Sequence, residues 1–502
     1  MTLAAVGAYI YYGMPTPEYA PYTYGRPDRA QLPRLTLVNH EAVMAQVLGT
    51  PPMRVERIGI LVYDGVDTLE AVAPMAVFSE LMNVKLEYLA VAPGVVRTRL
   101  ADLVVERSIG EVESLDVLIV PGGSPEGIDG LLAHAGLREW LQRIDASTQM
   151  TAGIGLGNVI LADAGLLAGK RIAFGWPAAE ENAAALGARH VAGRHARDGK
   201  YWSSLPATAA LDLSLAMLEA IAGRAHLQAA MLDLEYDPSH PCWGALPRPR
   251  RLPSTSRRLS RYAAGAGWRS PSRRRRPGVH RHRWTWACWS TPDSSPWMRS
   301  ARSVCSPSLA RRACACCAGA PSRASRAAAP LEVRDKAADA GPLDVLLVPG
   351  GADGTWALLR DPAALDWIRE TDRHTRYTTS VCTGSWVLGA AGLLRERRAT
   401  SNWYRLNQMM ARWGATPVAA RHVRDGKLWT SAGVSAGIDL GFALIADLEG
   451  DDAARAAMLR LHYRPDPPID AGSPESTDDL VLDMMHQMYD YSMVPLIRAA
   501  TP

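Results

Sequence analysis

The sequence predicts an α/β protein made of two doubly wound parallel sheets in tandem, and three observations carry that prediction. Short apolar runs end in glycine, "RIGILVYDG" from Arg57 and "LDVLIVPGG" from Leu115, as strands buried on both faces of a sheet do. Helical stretches separate such runs: "GLREWLQRIDAST" from Gly136 and "PAALDWIRETDRHT" from Pro362. Alternation of this kind implies parallel strands joined by helical crossovers. Third, the chain repeats itself. "GRHARDGKYW" from Gly193 returns as "ARHVRDGKLW" from Ala420, "MLDLEYDP" from Met231 as "MLRLHYRP" from Met458, and "SLDVLIVPGG" from Ser114 as "PLDVLLVPGG" from Pro342. Gly155 and Cys382, Trp202 and Trp429, and Met231 and Met458 are each 227 positions apart. So constant an offset means two copies of one domain, and the period is far too long for a solenoid repeat.

Composition agrees. A chain of 502 residues exceeds what one core organises. Its net charge of +4 is small for that length and gives no reason to expect a nucleic-acid partner. Of seven cysteines, Cys288, Cys305, Cys314, Cys316 and Cys317 crowd one unusual segment, Cys242 precedes it, and only Cys382 lies in well-patterned sequence. No disulfide framework follows. No metal-ligand spacing, P-loop or dinucleotide fingerprint is present, so no cofactor is expected.

In chain order, residues 1–54 form an N-terminal arm. "MTLAAVGAYIYYGM" is apolar, too short to span a bilayer, and lacks a basic start and a cleavage site. It reads as a disordered or surface-packed arm of a cytoplasmic protein, or as the tail of a membrane anchor. "PTPEYAPYTYGRPDRAQLP" then reads as a linker. Residues 55–245 are the first copy, 246–330 an anomalous segment and 331–502 the second copy.

The anomalous segment, "SRRRRPGVHRHRWTWACWSTPDSSPWMRSARSVCSPSLARRACACCAGAPSRASRAAAP", has neither helical nor strand period. A basic disordered linker is one reading, yet by the repeat offset the second copy's first strand belongs here. Trp is encoded only by TGG and Met only by ATG, so a shifted frame can be read in part. Taking each codon's third base with the next codon's first two, Trp284-Thr285 gives Asp, Trp286-Ala287 Gly, Cys288-Trp289 Leu, Trp289-Ser290 Val or Glu, Trp297-Met298 Asp, and Met298-Arg299 Ala or Glu. The hidden D-x-G-x-L-V, seven open positions, then D-A, matches "RIGILVYDGVDTLEA" from Arg57 in register, with the hidden Asp opposite Glu70. The segment therefore reads as an out-of-frame translation of the second copy's first strand, returning to frame near "PLEVRD". Resequencing the gene is expected to find a single-base insertion or deletion near each end; an uninterrupted frame would refute this.

The chemistry concentrates at "TTSVCTGSWVLGAAGLL" from Thr378, whose first-copy counterpart, "MTAGIGLGNVILADAGLL" from Met150, has Gly155 where the second has Cys382. Cys382 is expected at a tight strand-to-helix turn, where a helix N-terminus favours the nucleophilic thiolate. Backbone amides near Gly351 and Thr383 would stabilise developing negative charge. The plain alternatives are a buried structural thiol and simple turn glycines. His195 and His422 recur within "RH.RDGK" and read as strand or turn residues. Asp212 and Asp439 recur at apparent helix starts and read as caps.

"VPGG", "SVCTGSWVLGAAGLL", "RRATSNW", "RHVRDGKLWTSAGVSAGIDLGFALI" and "PDPPIDAGSPE" together resemble the ThiJ/PfpI (DJ-1-like) superfamily, over roughly Val55 to Pro238 and Leu331 to Glu475. Within it they are most similar to isonitrile hydratases and to the amidase-like domain of AraC-type regulators. The resemblance implies flavodoxin-like (class I glutamine amidotransferase-like) sheets. It also implies either a cysteine-dependent hydratase or hydrolase acting on a small molecule, or a non-catalytic small-molecule sensor. The two copies would pair as a tandem pseudo-dimer. In the superfamily a carboxylate from the loop after the first strand approaches the cysteine. Glu70 fills that position in the first copy, while Trp297 and Met298 stand there in the second. The histidine that many members carry twenty residues after the cysteine is Asn402 here and Gly175 in the first copy. The first copy's site (Glu70, Gly123, Gly155) thus has an acid without a nucleophile, and the second a nucleophile without its acid.

Overall fold

A computed structural model describes residues 24–36, 38–175, 179–237, 286–290, 314–318, 331–332, 335–336, 342–351 and 353–499. The first sheet contains β1 (Arg57–Leu61), β2 (Lys85–Ala90), β3 (Arg107–Ser108), β4 (Val117–Val120), β5 (Met150–Ile154), β6 (His195–Asp198) and β7 (Tyr201–Ser204), in the order β6-β7-β5-β4-β1-β2-β3. All neighbours are parallel except the β6–β7 hairpin. That hairpin turns at Gly199, whose φ of 65° suits a tight turn that few side chains tolerate. Ile58, Ile60, Leu61, Val117 and Leu118 are wholly buried, as central parallel strands covered on both faces must be.

The second sheet repeats this plan. β8 (Trp286–Ser290), β9 (Cys314–Ala318), β10 (Asp335–Lys336), β11 (Val345–Val348), β12 (Tyr377–Val381), β13 (His422–Asp425) and β14 (Leu428–Ser431) lie in the order β10-β9-β8-β11-β12-β14-β13. Read backwards, this is the first sheet's order. β8 stands where β1 stands, pairing Trp286 with Val345 as β1 pairs Ile58 with Val117. The second sheet therefore begins inside the 246–330 segment rather than at residue 331, and its central position is occupied by the residues under which the hidden frame placed the missing strand. The physical reason is that ladder hydrogen bonds come from the backbone and are indifferent to side chain. Most of the 246–330 segment otherwise lies outside the described residues.

The expected helices form, at α1 (Leu137–Ser147) in the first copy and α2 (Pro362–His374) in the second. The two copies share one apolar core that runs from Ile58 and Leu118 through Leu215 and Met231 to Val381, Ile438 and Phe442. A second cluster covers the far face of the second sheet, and the N-terminal arm contributes to it. Leu32, Leu35, Val43 and Met44 are buried with Leu346, Trp386 and Leu482. Arg29 forms a buried ion pair with Asp483 at 2.9 Å, and Leu32 N donates to the same carboxylate. The described part of the expected linker is therefore anchored to the second copy, because Arg29 finds a buried carboxylate and Leu32 an apolar face. Residues 1–23 lie outside the described part, and no described helix is long and apolar enough to cross a membrane.

Candidate active site

Cys382 follows β12 directly and precedes α3 (Gly384–Ala390), with Thr383 as N-cap. Its φ is 56°, and Gly155 in the first copy has φ 51°. A non-glycine residue in this left-handed region costs about 1–2 kcal/mol, so the cysteine occupies a turn that glycine fills without strain. The helix can begin so close to the sheet only because the next-but-one residue is glycine. A Cβ on Gly384 would stand 2.1 Å from Val348 O, and one on Gly157 1.8 Å from Val120 O. The backbone of Cys382 is held from several sides. Its N–H donates to Ala432 O at 2.9 Å, and Ser401 Oγ and Ser385 Oγ donate to its carbonyl at 3.1 and 2.9 Å.

Thr383 and Gly351 meet as expected, but in a different relation. The Gly351 amide donates to Thr383 Oγ1 at 3.1 Å, so it serves the threonine rather than an open oxyanion site. The Thr383 amide faces the sulfur and favours its anion. Gly350 permits the approach: a Cβ there would lie 2.8 Å from Thr383 N and 3.0 Å from Cys382 Cβ. The expectation of a ready thiolate is corrected. The thiol is 8% exposed, and burial first, then the nearby Glu235 carboxylate, push its pKa far above the usual thiol range. Desolvation of the anion outweighs the Thr383 donors at the short helix's end.

The first copy's site is an acid facing glycine, as its residues imply. Asp67 caps α4 (Thr68–Phe78) by accepting from Leu69 N and Glu70 N, which sets Glu70 in the first turn. Glu70 then turns inward and accepts from Gly122 N at 2.8 Å and Ala207 N at 2.9 Å. A Cβ on Gly155 would stand 3.1 Å from Glu70 Oε1. Burial raises the Glu70 carboxyl to about 8, with Asp67 adding to the rise and the two amides opposing it. Gly123 stands apart from this carboxylate; its neighbours are Gly65 and Val66 in the loop after β1.

Asp212 and Asp439 are not caps. They lie inside α5 (Ala209–Ala222) and α6 (Ala436–Glu449) as buried ion-pair partners of Arg194 and Arg421. These arginines join the copies. Arg421 Nη1 donates to Glu235 O at 2.7 Å, and Arg194 Nη1 donates to His462 O at 2.5 Å. Ser435 Oγ and Thr208 Oγ1 donate to the same two carbonyls. Each copy therefore extends the turn of its "EYDP" or "HYRP" motif into the other copy. Glu235 and His462 both adopt the left-handed conformation, at φ 46° and 49°.

Sequence reasoning missed what this exchange delivers. Glu235, from the first copy, is buried beside Cys382 of the second. Its Oε1 accepts from Trp403 N at 2.8 Å, and the Gly433 amide also donates to the carboxylate. A cavity of about 310 Å³ opens beside it, lined by Tyr24, Ser401, Trp403, Arg421 and Ala432 among others. Ser401 and Ala432 are the residues that hold the Cys382 backbone. Asn402 is buried and accepts a hydrogen bond from Ser401 Oγ at 3.2 Å. The legible signals were the two breaks in otherwise matched motifs: Glu235 against His462, and Pro206 against Gly433.

Two seven-stranded sheets of one order, each with a left-handed turn where a parallel strand meets its helix, define a tandem α/β protein with a single-thiol elbow in its second half. The sequence profile described as the DJ-1/PfpI family matches residues 56–220 and 310–447. The chain belongs to that family, as a tandem duplication. It is 49% identical over 141 residues to an isonitrile hydratase of Pseudomonas putida, covering 28% of this chain and 61% of that protein. It is 37% identical over 112 residues to the HTH-type transcriptional regulator CdhR of Pseudomonas aeruginosa, covering 22% of this chain and 33% of that protein. The chain thus spans less than two thirds of either relative's length. Among solved structures, a ThiJ/PfpI family protein from Pseudomonas syringae is 31% identical, with a TM-score of 0.40, over 44% of this chain and 92% of that one.

Proposed function

We propose that the second copy is a cysteine-dependent hydratase for a small electrophilic molecule, with the isonitrile group as the foremost substrate class. The observation that carries this reading is Cys382 itself, a strained turn cysteine whose neighbours Glu235, Ser401 and Ala432 line a cavity of small-molecule size, in a chain similar to an isonitrile hydratase. Sγ adds to the electrophilic carbon and water releases the product. Thr383 N–H steadies the sulfur as it gains charge. The first copy contributes no nucleophile, and its place is that of a docked partner, so the duplication supplies within one chain what a homodimer supplies with two. The division into an arm, two copies and a frame-shifted segment belongs to this reading, as does a small molecule as ligand or substrate.

The test is turnover. Purified protein incubated with a small aliphatic isonitrile is expected to yield the N-substituted formamide. A protein that binds the isonitrile stoichiometrically without forming formamide is instead the sensor that the resemblance to a regulator favours.

A further inference from the structure

We propose that Glu235, carried into the second copy's site by the first copy, is the proton acceptor and donor for Cys382 and stands in for the acid that the second copy's own chain does not supply. This rests on the hydratase reading above.

Three geometric facts converge on it. First, the carboxylate is held rather than free: Trp403 N and Gly433 N both donate to it, and it is buried. Glu70 in the first copy is held by two backbone amides in the same manner. Second, the seat has been made for it. In the first copy the residue matching Gly433 is Pro206, whose Cβ lies 2.9 Å from where a Cβ on Gly155 would stand, so this position adjoins the turn. Proline has no N–H to offer. Glycine at 433 offers one, and leaves room as well, since a Cβ there would stand 2.4 Å from Glu235 Oε1. Third, Glu235 pays for its place with a left-handed backbone at the end of its helix, where a glycine or asparagine is usual.

The chemistry needs such a group. A buried thiol held protonated requires a base before it can attack. Glu235 is raised to about 7 by burial, against the pull of its two amide donors and of Arg421. The charged and titratable groups around the pair are Arg421, Asp233 and Tyr489; Tyr489 donates to Asp233, whose own carboxyl is raised by burial. With an isonitrile R–NC, the thiol proton passes to Glu235 as Sγ bonds to the terminal carbon. Glu235 returns that proton to the same carbon, leaving the thioimidate R–N=CH–S. Water then adds through oxygen to this carbon while its other proton passes by way of Glu235 to nitrogen. Collapse breaks the C–S bond, and the hydroxyl proton restores the thiol, leaving R–NH–CHO.

The experiment uses the full chain and iodoacetamide, which reports on the thiolate whatever the natural substrate. A proton shared between Cys382 and Glu235 fixes the profile. In the unaltered protein, alkylation of Cys382 should rise about tenfold per pH unit below the carboxyl's titration near 7 and flatten above it. In Glu235→Gln the rise should continue, so that the variant reacts like the parent near pH 6 and roughly 10²-fold faster near pH 9. Formamide production should fall by about 10²–10⁴-fold in Glu235→Gln and recover in part in Glu235→Asp. A parent profile without a break, or one shared by Glu235→Gln, overturns the proposal. A break with no turnover of isonitrile by the parent leaves the coupling standing and removes the substrate reading instead. If Glu235→Gln does not fold, the Glu235→Asp profile decides: its break must persist at a shifted pH, and its absence overturns the proposal.

Discussion

Replacing Cys382 by alanine should reduce formamide production by on the order of 10³-fold or more, because the covalent route needs an atom that can attack and later leave. Little else should change. The side chain is small, and its backbone anchors from Ser385, Ser401 and Ala432 do not involve the sulfur. The alanine variant should therefore unfold at nearly the same urea midpoint as the parent and still bind the isonitrile. The strained φ of 56° also remains, since alanine gains no freedom there that cysteine lacked. Equal turnover by the two proteins would end the hydratase reading and favour a binding protein. Turnover lost together with folding would be uninformative, which is why the unfolding midpoint belongs to the same measurement.

The second large effect concerns docking of the copies. Replacing Arg421 by alanine should destabilise the protein by about 3–5 kcal/mol, because it leaves the buried Asp439 carboxylate without its counter-ion. The same change removes donors from Glu235 O and Ser435 Oγ. Arg194→Ala should cost a similar amount through Asp212 and His462 O. Urea unfolding followed by tryptophan fluorescence measures both. A loss below about 1 kcal/mol for either variant would show that the ion pairs contribute little net stability, as exposed pairs do. The two variants should differ in one respect. Arg421→Ala frees the turn that carries Glu235 and should change the pH profile of Cys382 alkylation, whereas Arg194→Ala should not.

Much of the fold was legible in the chain because its signals are local. Apolar runs that end in glycine, as at Val117–Val120 and Val345–Val348, announce buried parallel strands. The matched turns at Gly155 and Cys382 announced the elbow. The part that stayed hidden is non-local. No spacing along the sequence tells that the turn at Glu235 reaches the neighbouring copy, because that depends on how two folded surfaces meet. Asp212 and Asp439 misled for a related reason. An acid in a helix's first turn is usually a cap or a dipole partner, and only the arginines that the hairpin strands bring up from Arg194 and Arg421 make it a buried ion pair. The expected thiolate failed on magnitude: a seven-residue helix was weighed against burial it could not offset.

The exchanged turns at Glu235 and His462 have a consequence for inheritance. In a homodimer encoded by one gene, any residue at that turn appears in both sites, so a substitution that helps one site is imposed on the other. Fusing the copies frees the two positions to diverge, and they have: one turn carries a carboxylate and the other an imidazole. Selection can then act on a single site per molecule, and on the reading proposed above the first copy is kept for the residue it lends.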